Sequence, residues 1–201
     1  MSAELPVDPA ALREEVKSKY REVACNPHGE YHFHTGRTAA KKLGYDAGLV
    51  DRMPDEAVES FAGVANPFSL RRLEPGEKVV DAGSGAGFDC FVAAQQVGPD
   101  GRVVGVDMLR EMLEKSRASA KRLELDNVEF REGIIEKMPV PDGWADVVIS
   151  NGVNNLCADK KQAMQEIWRV LKPGGRLQFA DIANGQPVPG AALRNIDLWT
   201  A

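Results

Sequence analysis

From residue 77 the chain alternates short β-branched apolar runs with longer stretches whose apolar residues recur every three or four positions. EKVVDAG, GRVVGVD, NVEFREG, ADVVISN and GRLQFADI are the short runs, and each predicts a strand. Helices are predicted between them: one after the first run and ending before Gly98, one from about Arg110 to Leu123, and one from about Lys160 to Leu171. In the last, Ala163, Met164, Ile167, Trp168 and Leu171 form an apolar stripe. Asp159 and Gln162 resemble a capping box, and Lys172-Pro173-Gly174-Gly175 ends the helix. Before residue 71 the pattern differs. Asp8-Pro9 reads as an N-cap and first helical residue, and Leu12, Val16, Tyr20 and Val23 continue an amphipathic helix over residues 8–24. Gly29, Gly36, Gly44, Gly48, Pro54 and Gly63 then punctuate short segments, with one- or two-turn helices at Ala39–Leu43 and Asp55–Phe61.

Strands alternating with helices predict an α/β fold: a Rossmann-like, doubly wound, mostly parallel sheet covered on both faces. Residues 1–70 are expected to be an N-terminal helix and lid, and residues 71–201 the core. Only five strand-like segments are visible, fewer than this fold usually carries, so either the core is cut short at its C-terminal end or its sheet is smaller than usual.

Composition narrows the function. A net charge of −5 and a pI near 5.3 argue against nucleic acid, which is bound through clustered Lys and Arg. No apolar run approaches the roughly 20 residues that cross a bilayer, and the first residues lack the pattern of a signal peptide. Cysteines at 25, 90 and 157 form no C-x-x-C pair and suit free thiols in a reducing compartment. A cytoplasmic protein with a small-molecule ligand is expected; the oligomeric state is not legible.

In an open α/β sheet the ligand sits beyond the carboxyl ends of the strands. The first such end reads Val79-Val80-Asp81-Ala82-Gly83-Ser84-Gly85-Ala86-Gly87-Phe88. Gly83 and Gly85 permit a tight turn and close backbone approach, and a helix starts just after them. The third glycine of a dinucleotide fingerprint would fall on Phe88. Asp81 precedes the glycines, where a pyrophosphate would be repelled and a cationic group welcomed. S-adenosylmethionine, which carries an ammonium and a sulfonium and no phosphate, fits this turn better than NAD. Asp107 ends the next strand, where an acid can accept both hydroxyls of a ribose.

These residues resemble the class I S-adenosylmethionine-dependent methyltransferases, with VVDAGSGAG as the first motif and LKPGGRL as the recurring helix-to-strand turn. Within them, GSGAGFDCF, VGVDM, NVEFREGIIEKMP, VISNGVNNL and RVLKPGGRL, with VKSKY and SFAGVANPF upstream, are similar to bacterial arsenite methyltransferases. The resemblance implies a cofactor site built from Tyr20, Asp81, Gly83, Ser84, Gly85, Asp107, Met108, Ile135, Glu136 and Asn151. In it Ile135 and Glu136 flank the adenine, Asn151 lies near the methionine moiety and Tyr20 closes over it. The arsenite enzymes bind As(III) with cysteine thiolates, one of them in an S-N-C-V segment where this chain has Gly152. Another follows a Leu-Trp pair, and here the sequence ends at Ala201, just past Leu198-Trp199. Cys25 is the remaining cysteine in a comparable place.

The stretch CNPHGEYHFH, residues 25–34, holds all three histidines. Three readings stand: a metal site using Cys25 and two histidines, without regular zinc spacing; substrate contact or base catalysis by His32 or His34; or a lid whose histidines satisfy local hydrogen bonds. No metal is assigned. Cys25, His32, His34 and Gly152 are the candidate substrate contacts, and His32 and His34 the candidate bases, although displacement at a sulfonium demands no fixed catalytic residue. The expected activity is methyl transfer from S-adenosylmethionine to a small molecule. The alternatives are an NAD-dependent oxidoreductase and a non-catalytic S-adenosylmethionine-binding protein.

Overall fold

The computed structural model describes residues 7–26, 29 and 35–199. Its strands are β1 (Lys78–Ala82), β2 (Arg102–Asp107), β3 (Val128–Glu132), β4 (Ala145–Asn151) and β5 (Leu171–Ala180). Among the described residues the helices are α1 (Pro9–Cys25), α2 (Gly36–Lys42), α3 (Ala47–Arg52), α4 (Asp55–Val58), α5 (Phe88–Val97), α6 (Arg110–Arg122), α7 (Lys160–Val170) and α8 (Gly190–Leu193). The strands form one parallel sheet in the order β3-β2-β1-β4-β5. The expected α/β architecture is therefore present, with all five predicted strands.

Successive strand residues face opposite sides, which is why the central strands read as unbroken apolar runs. Val79, Val103, Val147 and Ile149 meet Phe91 of α5 and Leu113 of α6 on one face. Val80, Val104, Val106 and Val148 meet Ala163, Ile167 and Val170 of α7 on the other. Phe91 has no solvent exposure, and its truncation to alanine would cost about 3–5 kcal/mol. Edge strand β3 buries only Phe130, whereas β1 is buried from Val79 to Ala82.

The segment expected to act as a lid divides in two. α1, capped by Asp8 through a 2.7 Å bond from the Ala11 amide, lies over the carboxyl ends of the strands, with Val23 and Ala24 packed on Ala86, Leu109 and Met112. Residues 40–68 instead belong to the sheet's own core, since Ala40, Tyr45, Val50, Met53, Ala57, Val58, Phe61 and Phe68 join the cluster around Val79 and Phe91.

Local details differ from the pattern-based reading. Trp168 is 81% exposed and so lies off the apolar stripe. At about 100° per residue it stands roughly 140° around the helix from Ala163, beyond the face that Ala163, Ile167 and Val170 bury. Only half of the capping box forms. The Asp159 carboxylate accepts the Gln162 amide at 2.9 Å, while the Gln162 side chain reaches the Glu136 carbonyl at 3.4 Å. Lys172-Pro173-Gly174-Gly175 ends α7 and also bulges out of β5, because Ala145 pairs with Leu171 but Val147 pairs with Arg176. α3 was not expected; Asp46 caps it by accepting the Leu49 amide at 2.7 Å.

Candidate functional site

β1 and β4 pair directly, yet the chain leaves them toward opposite sides of the sheet, to β2 from β1 and to β5 from β4. Their carboxyl ends therefore open a crevice, the usual ligand position in such sheets. It is a cleft of about 1120 Å³ counting its open mouth, and its walls come from α1, residues 60–63, the turn after β1, the ends of β2 and β4 and residues 133–136.

The turn after β1 is built on hydrogen bonds that use up its own amides. The Val106 carbonyl accepts Gly83 N at 2.9 Å and Ser84 N at 3.0 Å, and Asp107 accepts Gly85 N at 2.8 Å and Leu109 N at 2.9 Å. The backbone amides of residues 83–85 are thus engaged within the fold. The Ser84 hydroxyl is what the turn leaves over, buried and without a partner. The two glycines serve different ends. At Gly83, φ is +83° and a Cβ would sit 2.6 Å from both Val153 methyls; at Gly85, φ is +52° and a Cβ would meet nothing within 4 Å. Gly83 is needed for packing, and Gly85 leaves open space.

Acidic groups gather in one wall. Asp81, 2% exposed, accepts a 3.2 Å bond from the Cys90 thiol. Burial pushes its carboxyl well above the usual range; neighbouring Asp89 and then Asp107 add to that, while the Cys90 bond opposes it. Asp89, 6% exposed, accepts the Tyr45 hydroxyl at 2.6 Å and the Asn151 amide at 3.0 Å. Burial lifts its carboxyl to about 6 against the pull of those two donors. Asp107 is also raised by burial and held back by the backbone amides of Leu109, Gly85 and Met108.

Asn151 ties residues 64 and 65 to this wall. Its Oδ1 accepts Val64 N at 2.8 Å and Ala65 N at 3.2 Å, while its Nδ2 donates to the Ala65 carbonyl at 2.8 Å. From above, Leu12, Arg13, Val16 and Tyr20 of α1 line the cleft, and Arg13 stands 3.7 Å from Glu136. Burial raises the Tyr20 phenol to about 12, with Asp107 and Asp181 adding to the effect. Cys157 closes one end, its thiol pushed up to about 12 chiefly by burial.

Tyr20, Asp81, Gly83, Ser84, Gly85, Asp107, Met108, Ile135, Glu136 and Asn151 all line this one cleft, and Gly152 lines it with them. Cys25 is exposed at the end of α1 and is not among the lining residues. His32 and His34, with His28, lie outside the described residues. Among the described residues no group of three or more His, Cys, Asp or Glu is placed to hold a metal. Sequence reasoning missed Asp89, Tyr45 and Cys157. Asp89 had left a signal: an acid in the first turn of a helix whose other residues, from Phe88 to Ala94, are all buried. Phe88, where a dinucleotide fingerprint would need glycine, is 3% exposed and packs tilted against Phe61, ring centroids 4.3 Å apart, and edge-to-face against Tyr45 at 5.0 Å.

Comparison with known proteins gives consistent relatives. Residues 73–198 match the methyltransferase domain family. An arsenite methyltransferase of Halobacterium salinarum is 45% identical over 166 residues, 83% of this chain and 42% of that protein. A demethylmenaquinone methyltransferase of Listeria welshimeri is 38% identical over 60% of this chain and 51% of its own. Among solved structures, an arsenic(III) S-adenosylmethionine methyltransferase from Chlamydomonas reinhardtii superposes with a TM-score of 0.61 at 31% identity, over 79% of this chain and 53% of that one. The chain thus spans less than half of the arsenite methyltransferase from Halobacterium.

Proposed function

This chain belongs to the class I S-adenosylmethionine-dependent methyltransferases and is related to the arsenite methyltransferases, and from that premise we propose that its cleft binds S-adenosylmethionine and passes the methyl group to a small molecule. The observation that carries the proposal is the pairing of an open turn with flanking acids. Gly85 leaves unfilled space, the buried Ser84 hydroxyl lacks a partner, and Asp81 and Asp107 stand on either side of the turn. A buried hydroxyl without a partner is costly, and a ligand's polar group relieves it. The residues present fit the cofactor.

In this reading Asp107, whose carboxylate takes backbone amides on both oxygens and keeps further lone pairs, accepts the ribose hydroxyls. Asp81 faces the ammonium, and the Ser84 hydroxyl and Asn151 contact the methionine end. Ile135, Glu136 and Met108 enclose the base, and Tyr20 closes the site from α1. Gly83 and Gly85 keep the turn low enough for close approach. The bound cofactor supplies an electrophilic methyl on a sulfonium. The protein's part is to align that methyl with the acceptor, exclude water and leave a path for the acceptor lone pair. The acceptor enters beside Gly152, Val153, Leu156 and Cys157, next to residues 60–63.

The relatives named above carry two different acceptors in their names, arsenite and demethylmenaquinone, so the acceptor rests on this chain's own wall. Cys157 is the one cysteine among the cleft's lining residues, and Gly152 stands where the arsenite enzymes are expected to have another. Cys157 by itself is a weak trap for As(III), so a panel holding both arsenite and organic acceptors decides between them. Calorimetric titration should give S-adenosylmethionine binding and no NAD binding. Asp107→Ala should weaken the former by roughly 1.5–3 kcal/mol, about tenfold to 150-fold. Labelled-methyl transfer to an acceptor panel that includes arsenite tests the second half. NAD binding without S-adenosylmethionine binding would overturn the proposal.

A further inference from the structure

Asp81 and Asp89 are two carboxylates in one wall of the cleft, and their side-chain hydrogen bonds go to Cys90, Tyr45 and Asn151, all uncharged. Among the described residues no lysine or arginine pairs with either. A buried carboxylate normally has a cation beside it, and two without one form a costly arrangement that packing does not explain. Without a cation the pair holds a proton, and a cationic ligand is what would favour its ionised form. We propose that Asp89, paired with Asp81, reads the charge of the bound cofactor: the pair sheds a proton when S-adenosylmethionine enters and takes one up when S-adenosylhomocysteine has replaced it.

This rests on the cofactor reading above. S-adenosylmethionine carries a carboxylate, an ammonium and a sulfonium, a net charge of about +1, whereas the thioether product is neutral overall. In the transfer the methyl carbon's bond to sulfur breaks with both electrons left on sulfur, and an acceptor lone pair forms the new bond. The positive charge therefore leaves the neighbourhood of the acidic wall, and the pair regains its affinity for a solvent proton. The two carboxyls act on one another's ionisation, so they lose protons as a unit, and the step nearest Asp89 falls around 6.

The three groups that hydrogen-bond to the pair do not titrate in that range. Cys90 from α5 and Tyr45 from the loop after α2 are both driven upward by burial, and Asn151 from β4 is uncharged. Asp107 from β2 adds negative charge. Across the cleft stand Tyr20 and Arg13 of α1, Glu136 and Cys157. The network also gives the protonated state a place to settle. When Asp89 takes the proton, the Tyr45 hydroxyl has a second acceptor in the Ala65 carbonyl at 3.2 Å, so the charge state reaches the segment that Asn151 holds against the cleft.

The test is calorimetry of the full chain at pH 6 in buffers of different ionisation enthalpy, with S-adenosylmethionine and S-adenosylhomocysteine as separate titrants. Proton release should be greater for S-adenosylmethionine by about half a proton or more per site, and the affinity ratio of the two ligands should rise about fivefold between pH 5 and 6. Asp89→Asn should remove at least half of that difference. Tyr45→Phe, which keeps both carboxylates but deletes a donor that favours the ionised form, should move the release to higher pH. Equal proton release for the two ligands, or a full difference kept in Asp89→Asn, overturns the inference while leaving the cofactor assignment standing. Failure of both ligands to bind overturns the two together.

Discussion

Gly152 offers a direct way to ask what this cleft wall accepts, by replacing it with cysteine. Two structural terms set the stability cost. Its φ is +75°, a left-handed conformation that costs a residue with a Cβ about 1–2 kcal/mol. The new Cβ would lie 3.1 Å from Val64 Cγ1, a methyl that must yield by a few tenths of an ångström. Val64 is held through its backbone amide on Asn151 and not through its side chain, so its methyl can turn aside and the backbone term dominates. For a chain of this size 1 kcal/mol corresponds to about 2–4 °C, so Gly152→Cys should lower Tm by about 2–8 °C. Gly152→Ala should lower it equally, as the control for strain alone. Only the cysteine variant adds a second soft ligand to the cleft beside Cys157, and its affinity for arsenite should exceed that of the parent by about tenfold or more. Scanning calorimetry and arsenite titration under reducing conditions read the two effects separately. A cysteine variant as stable as the parent would refute the strain argument, and unchanged arsenite binding would refute the thiolate argument.

Two further outcomes are expected. Asp89 is an acid whose folded-state value of about 6 lies above its ordinary value of 3.8, so the folded protein binds the extra proton and this group's contribution to stability is complete below about pH 4 and lost as pH rises through 6. Urea unfolding without cofactor should therefore show Asp89→Asn gaining on the parent between pH 5 and 7, by about 1 kcal/mol; a difference constant with pH would contradict the burial argument. Arg176 holds Glu77 with two bonds, at 2.5 and 2.8 Å, and so joins β5 to the start of β1 across the intervening β4. Arg176→Ala should cost about 1.5–3 kcal/mol in the same assay, and a loss under about 0.5 kcal/mol would show the pair to be solvent-screened.

Much of this molecule is determined locally and was therefore legible in the amino-acid sequence. Valine-rich runs bounded by glycine can bury both faces only inside a parallel sheet, which is why β1, β2 and β4 were identifiable from their residues alone. Asp8-Pro9 starts α1 through a bond three residues long. The acid-glycine spacing of Asp81, Gly83 and Gly85 marks the turn, because only a short set of residues can leave a strand, bend and enter a helix at that angle. What separates in sequence and meets in space had to wait for the tertiary structure. Tyr45, Asp89 and Asn151 are joined over 44 and 62 positions by bonds that no local pattern encodes. Residues 40–68 looked like a cover and are part of the core, because their apolar residues follow no single period and find their partners only on the assembled sheet. Trp168 fitted a stripe of spacing yet faces outward, since the few tens of degrees that separate a buried helix face from an exposed one depend on the surface it docks against. The charge logic of the cleft is likewise tertiary: Asp81 and Asp89 are ordinary acids in the chain, and it is burial side by side, with no cation of their own among the described residues, that makes them responsive to a ligand's charge.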